Sequence, residues 1–227
     1  MITSKDNAKL KLVRKLARHK EREASGLFVC EGEDVVDAAL AVGIEPVDLL
    51  IAGDNVVPEL LASVSTLPHP ARVVAVFRRD DLPRGARQTA LALWHVADPG
   101  NVGTLLRTAD AFGASVALSE GCADPLGPKA LRASAGAVFR VPLADWDDLP
   151  GRRVALVAHG GRRLAEVDLT PPVTIVLGAE REGLPQELVA QSHERATIPL
   201  PGAAESLNVA AAGAIALYEL SRRPGAS

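Results

Sequence analysis

The feature that most constrains the fold is a run of residues, 90–96, in which polar and apolar side chains do not alternate. A strand apolar on both faces is typical of a parallel sheet covered by helices. Further short apolar runs and helical segments alternate after it, which predicts an α/β domain with helices flanking a parallel sheet. The predicted strands are 115–118, 138–142, 154–158, 174–177 and 196–200, and the predicted helices are 101–112, 128–134, 185–191 and 206–220.

The first 77 residues contain a smaller alternation of the same kind. A helix is predicted from Thr3 or Ser4 to about Ala24, with one apolar face and Gly26 as its stop signal. The apolar positions of that face are Leu10, Val13, Leu16 and Ala17. The other predicted elements are strands 27–30, 47–51 and 73–77 and helices 32–42 and 58–65. We interpret the polar stretch 78–88 as a linker, which gives domains 1–77 and 89–227.

Charge is distributed unevenly along the chain. The net charge is −3, but residues 1–22 hold eight basic and two acidic residues, a local charge of +6. The remainder holds 17 basic and 26 acidic residues, a charge of −9. A basic arm on an acidic body is typical of contact with phosphates, and a solvated helix face is the alternative.

Other classes of protein are disfavoured by simple patterns. No apolar run approaches the roughly 18 residues of a membrane span, and the N-terminus lacks the apolar core of a signal peptide. We therefore expect a cytoplasmic protein. Cys30 and Cys122 occur in unrelated contexts, so neither a disulfide framework nor a metal site is expected.

Polar residues follow the ends of three predicted strands, where ligands bind in open α/β sheets. In the first stretch Asn101 begins a helix, and Arg107 lies six residues further on. An arginine among apolar neighbours either extends to solvent or binds a phosphate or carboxylate. Both interpretations are open for Arg107 at this point.

The second and third stretches surround Gly178 and Ser206. A strand ends at Gly178, where backbone can approach a ligand closely, and Glu180 follows in the turn. Neither a dinucleotide fingerprint nor a phosphate loop is present. Ser206 is a natural N-cap for the last helix, whose free N–H groups could also bind an anion.

Taken together, the three stretches resemble one family. They are an Asn-x-Gly-x-x-x-Arg-Thr-Ala run from Asn101, a Leu-Gly-x-Glu-x-x-Gly-Leu run from Leu177 and a Ser-Leu-Asn-Val run from Ser206. In this order they resemble the three motifs of the SpoU/TrmH family of RNA ribose 2′-O-methyltransferases, in the SPOUT superfamily. The resemblance covers residues 89–221, and residues 1–77 look similar to the ribosomal-protein-like RNA-binding domain of the family.

The resemblance implies a trefoil-knotted SPOUT domain, preceded by a small α/β RNA-binding domain. It implies that S-adenosylmethionine binds in the knot and that no metal is needed. It also implies a homodimer packed through the last helix, where a small face of Ala210, Ala211 and Ala214 permits close contact. The residues implied to bind the cofactor are Gly178, Ile198, Leu207, Leu177 and Leu200.

The resemblance assigns activation of the ribose hydroxyl to Arg107. The residues implied to surround it are Asn101, Glu180, Ser206 and Asn208. The guanidinium of arginine is effectively always protonated in proteins, so a neutral guanidine at pH 7 is strongly disfavoured. We therefore expect Arg107 to stay charged and to stabilise the developing alkoxide. Ser206 is expected to bind a substrate phosphate, and the two asparagines to orient Arg107 or the ribose.

Three alternatives to an rRNA ribose methyltransferase stay open from the sequence. The first is a tRNA ribose methyltransferase, although ribosomal RNA is the favoured substrate. An antibiotic-resistance methylation of rRNA is chemically identical and is not separated by the sequence. A non-catalytic RNA-binding assembly factor of the same fold is a second possibility, and a nucleotide-binding domain with another reaction is a third. Aromatic residues make up only 3% of the chain, which favours recognition of folded RNA by shape and backbone over base stacking.

Overall fold

The computed structural model describes residues 1–223, so the last four residues of the predicted second domain lie outside the described chain. Within this range the α-helices are α1 Ala8–Leu16, α2 His19–Ser25, α3 Glu33–Leu40, α4 Pro58–Ala62, α5 Pro99–Ala111, α6 Pro128–Ser134, α7 Gln186–Gln191 and α8 Val209–Ser221. The strands are β1 Leu27–Glu31, β2 Asp48–Ile51, β3 Val73–Arg78, β4 Thr89–Leu93, β5 Ser115–Leu118, β6 Leu143–Ala144, β7 Arg152–Leu156, β8 Arg162–Arg163, β9 Val173–Leu177 and β10 Glu194–Thr197.

The N-terminal strands form an antiparallel sheet in the order β1-β3-β2. The single long helix predicted before it is wrong. Arg18 has extended backbone angles (φ −92°, ψ 134°), which separate α1 from α2. The cap is also different, because the side chain of Asn7 accepts from the backbone N–H of Lys9 at 2.9 Å, a role we expected of Thr3 or Ser4.

The second sheet has seven strands in the order β6-β5-β4-β9-β7-β10-β8, and every pair is parallel. All residues of the central strands β4 and β9 are buried, which confirms the predicted α/β fold with a parallel sheet. Two glycines let helices pack closely. A Cβ on Gly103 of α5 would lie 2.3 Å from a carbonyl oxygen of α6, and one on Gly213 of α8 would lie 2.4 Å from Leu105 of α5.

Several predicted boundaries near the sheet edge are wrong. The predicted strand 138–142 is a 3₁₀ turn, Ala137–Phe139, followed by the two-residue strand β6. The edge strand β8 was not predicted, because its two exposed arginines carry no apolar signal. Helix α8 begins at Val209 instead of Ser206, and Ala210 is buried against its own chain, not on an exposed alanine face.

The core of the N-terminal sheet is completed by the rest of the chain. Phe28 and Phe77 pack with Phe139, with ring centroids 5.0–6.1 Å apart, and Leu82 of the predicted linker is buried in the same cluster. Arg22 of α2 is also buried and is bound across this boundary. The two sheets are therefore joined by a shared core as well as by the connecting segment.

No helix in residues 1–223 is long and apolar enough to cross a membrane. The knot implied by the resemblance stays a prediction.

Candidate active site

A cavity of about 240 Å³ opens beside the carboxyl ends of β7 and β9. One wall is the strand end and turn after β9, and another is the loop between β10 and α8. All five residues predicted to bind the cofactor lie in its wall, namely Gly178, Ile198, Leu207, Leu177 and Leu200. The wall also contains Glu180, Ser206 and Asn208 from the predicted catalytic set, but not Asn101 or Arg107.

The glycine at the end of β9 is required by the turn that follows it. Residues 179–183 fold back on themselves, with mutual backbone hydrogen bonds between Ala179 and Gly183 at 3.0 and 3.1 Å. A Cβ on Gly178 would lie only 2.3 Å from the carbonyl carbon of Gly183. Gly178 therefore allows the turn to close, and its backbone then forms a flat part of the cavity wall.

One chain of hydrogen bonds connects all three sequence motifs. The Nδ2 of Asn101 donates to Oε1 of Glu180 at 3.0 Å, and the Nδ2 of Asn208 donates to Oδ1 of Asn101 at 3.1 Å. The Oδ1 of Asn208 accepts from the N–H groups of Ala210 and Ala211. Asn208, not Ser206, is thus the N-cap of α8, and the N-terminal ends of α5 and α8 are tied together.

Glu180 is the acceptor at the end of this chain. Partial burial by itself would raise the pKa of Glu180, but hydrogen bonds from Asn101 and from the N–H groups of Asp98 and Ala97 outweigh it and lower the pKa. The carboxylate therefore stays ionised at neutral pH. Its hydrogen bonds hold the loop before α5 against the turn that follows β9.

A second anchor of this loop was missed from the sequence. Asp98 caps α5, with Oδ1 accepting from Gly100 at 2.7 Å and from Asn101 at 3.1 Å. The ammonium of Lys129 on α6 lies 2.7 Å from Oδ2 and, with these backbone bonds, lowers the pKa of Asp98. The Asp-Pro pair before the helix was the available signal, since aspartate is a preferred N-cap and proline a preferred first residue.

The loop residue Ser206 is exposed in the cavity wall, two positions before the cap of α8. It is therefore free of the capping role that we predicted for it. Arg181, also in the wall, is the cation that sequence reasoning missed. Its side chain is exposed and forms no ion pair or hydrogen bond with any part of residues 1–223. In the sequence, the one indication that Arg181 lies in the cavity wall is its position directly after Glu180.

Arg107 lies on the exposed face of α5, away from the cavity wall of its own chain. It lies six positions after Asn101, a rise of about 9 Å along the helix axis. Its guanidinium makes no hydrogen bond or ion pair within the described 1–223 range. It is thus a charged group that the fold of the single chain does not use. In the same range, no group of three or more His, Cys, Asp or Glu side chains could hold a metal ion.

Comparison with known proteins agrees with this geometry. Residues 88–218 match the SpoU rRNA Methylase family, and residues 7–79 match the MRM3-like substrate binding domain. The chain is 30% identical to the 23S rRNA (guanosine(2553)-2′-O)-methyltransferase RlmP of Bacillus subtilis, over 96% of this chain and 98% of the relative.

Two solved structures are similar over nearly the whole chain. An AdoMet-bound rRNA methyltransferase from Sinorhizobium meliloti superposes with a TM-score of 0.85 at 30% identity, covering 97% of each chain. The SpoU methyltransferase AviRb from Streptomyces viridochromogenes, in complex with AdoMet, superposes with a TM-score of 0.84 at 25% identity, covering 95% of this chain and 97% of AviRb.

Proposed function

The chain belongs to the SpoU rRNA methylase family, and we propose on that premise that it methylates a ribose 2′-hydroxyl of RNA, using S-adenosylmethionine. The observation that carries this proposal is the hydrogen-bonded chain Glu180–Asn101–Asn208, which brings the three family motifs together at the mouth of one cavity. Two relatives that match over almost all of the chain support it: RlmP is named a 2′-O-methyltransferase of 23S rRNA, and the protein from Sinorhizobium meliloti an AdoMet-bound rRNA methyltransferase.

The cavity suits the cosubstrate, which supplies the methyl group. Leu177, Ile198 and Leu207 give an apolar wall, and Gly178 adds a surface without a side chain against which a flat purine can lie. Leu200 extends the apolar wall. No acidic side chain in the wall is free to pair with a cation, because Glu180 is already bound by the loop before α5.

Arg107 is the group that acts on the ribose hydroxyl. It stays protonated and donates hydrogen bonds to the oxygen as negative charge develops there, which is the role of an oxyanion hole. Asn101, Glu180 and Asn208 fix the ends of α5 and α8 that position the site. Ser206 and Arg181, both exposed in the cavity wall, bind RNA phosphate groups near the reacting ribose.

Ribosomal RNA is the favoured substrate class. The support is the RlmP relative and the match of residues 7–79 to a substrate-binding domain. A cytoplasmic location follows from that substrate. Transfer RNA is the runner-up, because other relatives carry the joint name tRNA/rRNA methyltransferase.

The active form is a homodimer packed through α8. Ile215 and Tyr218 lie on one face of α8 and are 40% and 56% exposed, which is unusual for large apolar side chains. Ala211, also exposed, lies one turn before Ile215 and allows close approach of a second helix. Because Arg107 is outside the cavity wall of its own chain, it serves the cavity of the second copy.

Methyl transfer can be tested with labelled S-adenosylmethionine and separate pools of unmodified rRNA and tRNA, followed by alkaline hydrolysis. A 2′-O-methyl group blocks cleavage of the adjacent phosphodiester, so label should appear in alkali-resistant dinucleotides from the rRNA pool. Label only in the tRNA pool would reverse the choice of substrate. Label that alkali releases entirely as mononucleotides would refute ribose methylation.

The contribution of Arg107 to the second copy can be tested with a mixed dimer. One chain carries Arg107→Ala and the other carries Ile198→Trp, which fills the cavity, and purification through two different tags isolates the heterodimer. Each homodimer should be inactive. The heterodimer pairs one open cavity with one intact Arg107 and should regain about half of the wild-type rate. A heterodimer without activity would place Arg107 at the cavity of its own chain.

A further inference from the structure

The two tryptophans of this aromatic-poor chain lie together, although 52 positions separate them. Trp94 directly follows β4, and Trp146 lies in a 3₁₀ turn after β6. Their ring centroids are 5.8 Å apart at an interplanar angle of 61°. The ring of His95 stacks on Trp94, with centroids 4.5 Å apart and planes 7° from parallel. Both indoles are half-buried and His95 is exposed, so the cluster of these three residues faces solvent.

The stack of His95 on Trp94 depends on a bend of the backbone at His95. Consecutive side chains of an extended strand point to opposite faces, so neighbouring rings do not normally meet. His95 has φ 51°, a left-handed conformation that is unfavourable for a residue with a side chain. The N–H of His95 donates to Oγ of Ser119 at 3.0 Å, and a Cβ on Gly121 would lie 3.1 Å from the imidazole. Contacts on both sides therefore hold the ring in place.

The cluster lies between the cavity and the N-terminal sheet. On one side, the N–H of Trp94 donates to the carbonyl of Leu177, the residue before Gly178 in the cavity wall. On the other side, Gly121 precedes Asp124 by three residues, and Asp124 binds Arg22 of α2, in the basic segment 1–22. An RNA that spans this basic segment and the cavity would pass the cluster.

We propose that the cluster Trp94–His95–Trp146 stacks on an unpaired base of the RNA substrate, beside the nucleotide that is methylated. This inference rests on the proposed function. Every base offers a π-face to an aromatic side chain, so such contact tolerates many sequences. Asp145, Asp147 and Asp148 surround Trp146 and would repel phosphates, so contact here is made through a base and not through the backbone. One stacked base would fix the register of the strand at the cavity.

Tryptophan fluorescence reports on the cluster directly, because both tryptophans of the chain are in it. The unaltered protein, saturated with S-adenosylmethionine, is titrated with unmodified 23S rRNA transcribed in vitro, and with fully paired RNA as control. We expect strong quenching by the rRNA and little by the duplex. Unchanged fluorescence when the rRNA is fully bound, as measured by gel shift, would overturn the inference.

His95→Gly tests the same contact with little risk to the fold. Glycine adopts positive φ without strain, so the variant should keep or slightly raise the melting temperature. Loss of one stacking partner should raise the KM for RNA about tenfold, with kcat and cofactor affinity unchanged. His69→Gly, at an exposed histidine of the N-terminal half, is the matched control.

An unchanged KM for RNA in His95→Gly would also overturn the inference. The proposed function fails by a different result, the absence of methyl transfer by the wild-type protein. In that case quenching by the rRNA would still show that this protein stacks RNA bases, and the two outcomes stay distinct.

Discussion

Two arginines on helices are used in opposite ways in this protein. Arg22 of α2 is 4% exposed and donates to Asp124 and to the last carbonyls of α1, those of Leu16 and Ala17. Arg107 of α5 is exposed and has no partner within residues 1–223. Arg22 joins α2 to the loop after β5, whereas Arg107 is exposed to bind a molecule outside the chain.

In the function that we propose, this difference separates side chains that build the site from side chains that act on the RNA. Asn101, Glu180 and Asn208 are committed to one another and to the backbone, as Arg22 is to Asp124. Arg107 and Arg181 make no such bonds in the described chain. Changing the first set should therefore alter stability, and changing the second should alter only RNA-dependent steps.

The largest effect on stability is expected for Arg22→Ala. It removes two hydrogen bonds to the largely buried carboxylate of Asp124, which should lower the free energy of unfolding by about 3 kcal/mol. Arg18→Ala, four residues earlier on the exposed side, should change it by less than about 0.5 kcal/mol. Denaturant unfolding measures the free energy of unfolding of both variants. Equal losses in Arg22→Ala and Arg18→Ala would contradict the distinction between bound and free arginines.

A smaller effect is expected at the cap of α8. Asn208→Ala removes the cap and the link to Asn101 and should lower the unfolding free energy by about 1 kcal/mol. Asn208→Asp keeps an acceptor for the cap but loses the donor to Asn101. If the link matters for function, the aspartate variant should recover stability and still lose methyl transfer. Full activity of Asn208→Asp would show that only the cap is needed.

The basic arm should contribute through its unpaired residues. Arg18 and Lys20 make no ion pair with any residue of 1–223, whereas Lys9 pairs with Asp48. Replacing both Arg18 and Lys20 by alanine should flatten the salt dependence of RNA binding, by about one unit of slope for each phosphate that is no longer neutralised. Lys9→Ala is the control. An unchanged slope in the double variant would mean that the arm is a solvated helix face.

The smallest effect is a dependence of stability on pH. Burial would raise the pKa of Asp124, but hydrogen bonds from His19 and Arg22 lower it below its value in the unfolded chain. Its contribution is therefore present above the ordinary aspartate pKa of about 3.9 and is lost as the pH falls through the folded value. The free energy of unfolding, measured between neutral and acidic pH, should fall as Asp124 is protonated. In Asp124→Asn, which does not titrate at this position, that fall should be smaller.

The sequence was sufficient for the parallel α/β fold, because apolar strands without alternation are typical of a covered parallel sheet. The residues predicted to bind the cofactor, among them Gly178, Ile198 and Leu207, lie in the cavity wall, but their role there stays a prediction and Arg181 in the same wall was missed. The sequence did not distinguish Asn208 from Ser206 as the cap, because both are good caps and backbone angles decide between them. Similarly, no pattern of spacing in the sequence marks the break at Arg18 between α1 and α2.

Contacts between segments that are distant in the chain could not be predicted from the sequence at all. The pairing of Trp94 with Trp146 and of Arg22 with Asp124 joins segments that share no periodicity. Composition alone counted Arg22 with the phosphate-binding residues, but burial removes it from that set. The low aromatic content was interpreted as an argument against stacking, although the two tryptophans that exist are gathered in one place.

We propose that the free guanidinium of Arg107 acts on the ribose while the hydrogen-bonded residues Asn101, Glu180 and Asn208 hold the site. The most direct test is the single-turnover rate of methyl transfer by Arg107→Lys at saturating RNA and S-adenosylmethionine. The account predicts a loss of at least about 100-fold, because lysine keeps the charge but not the planar fork, with melting temperature and cofactor affinity unchanged. A rate near that of the wild type would show that a point charge suffices and would contradict the account.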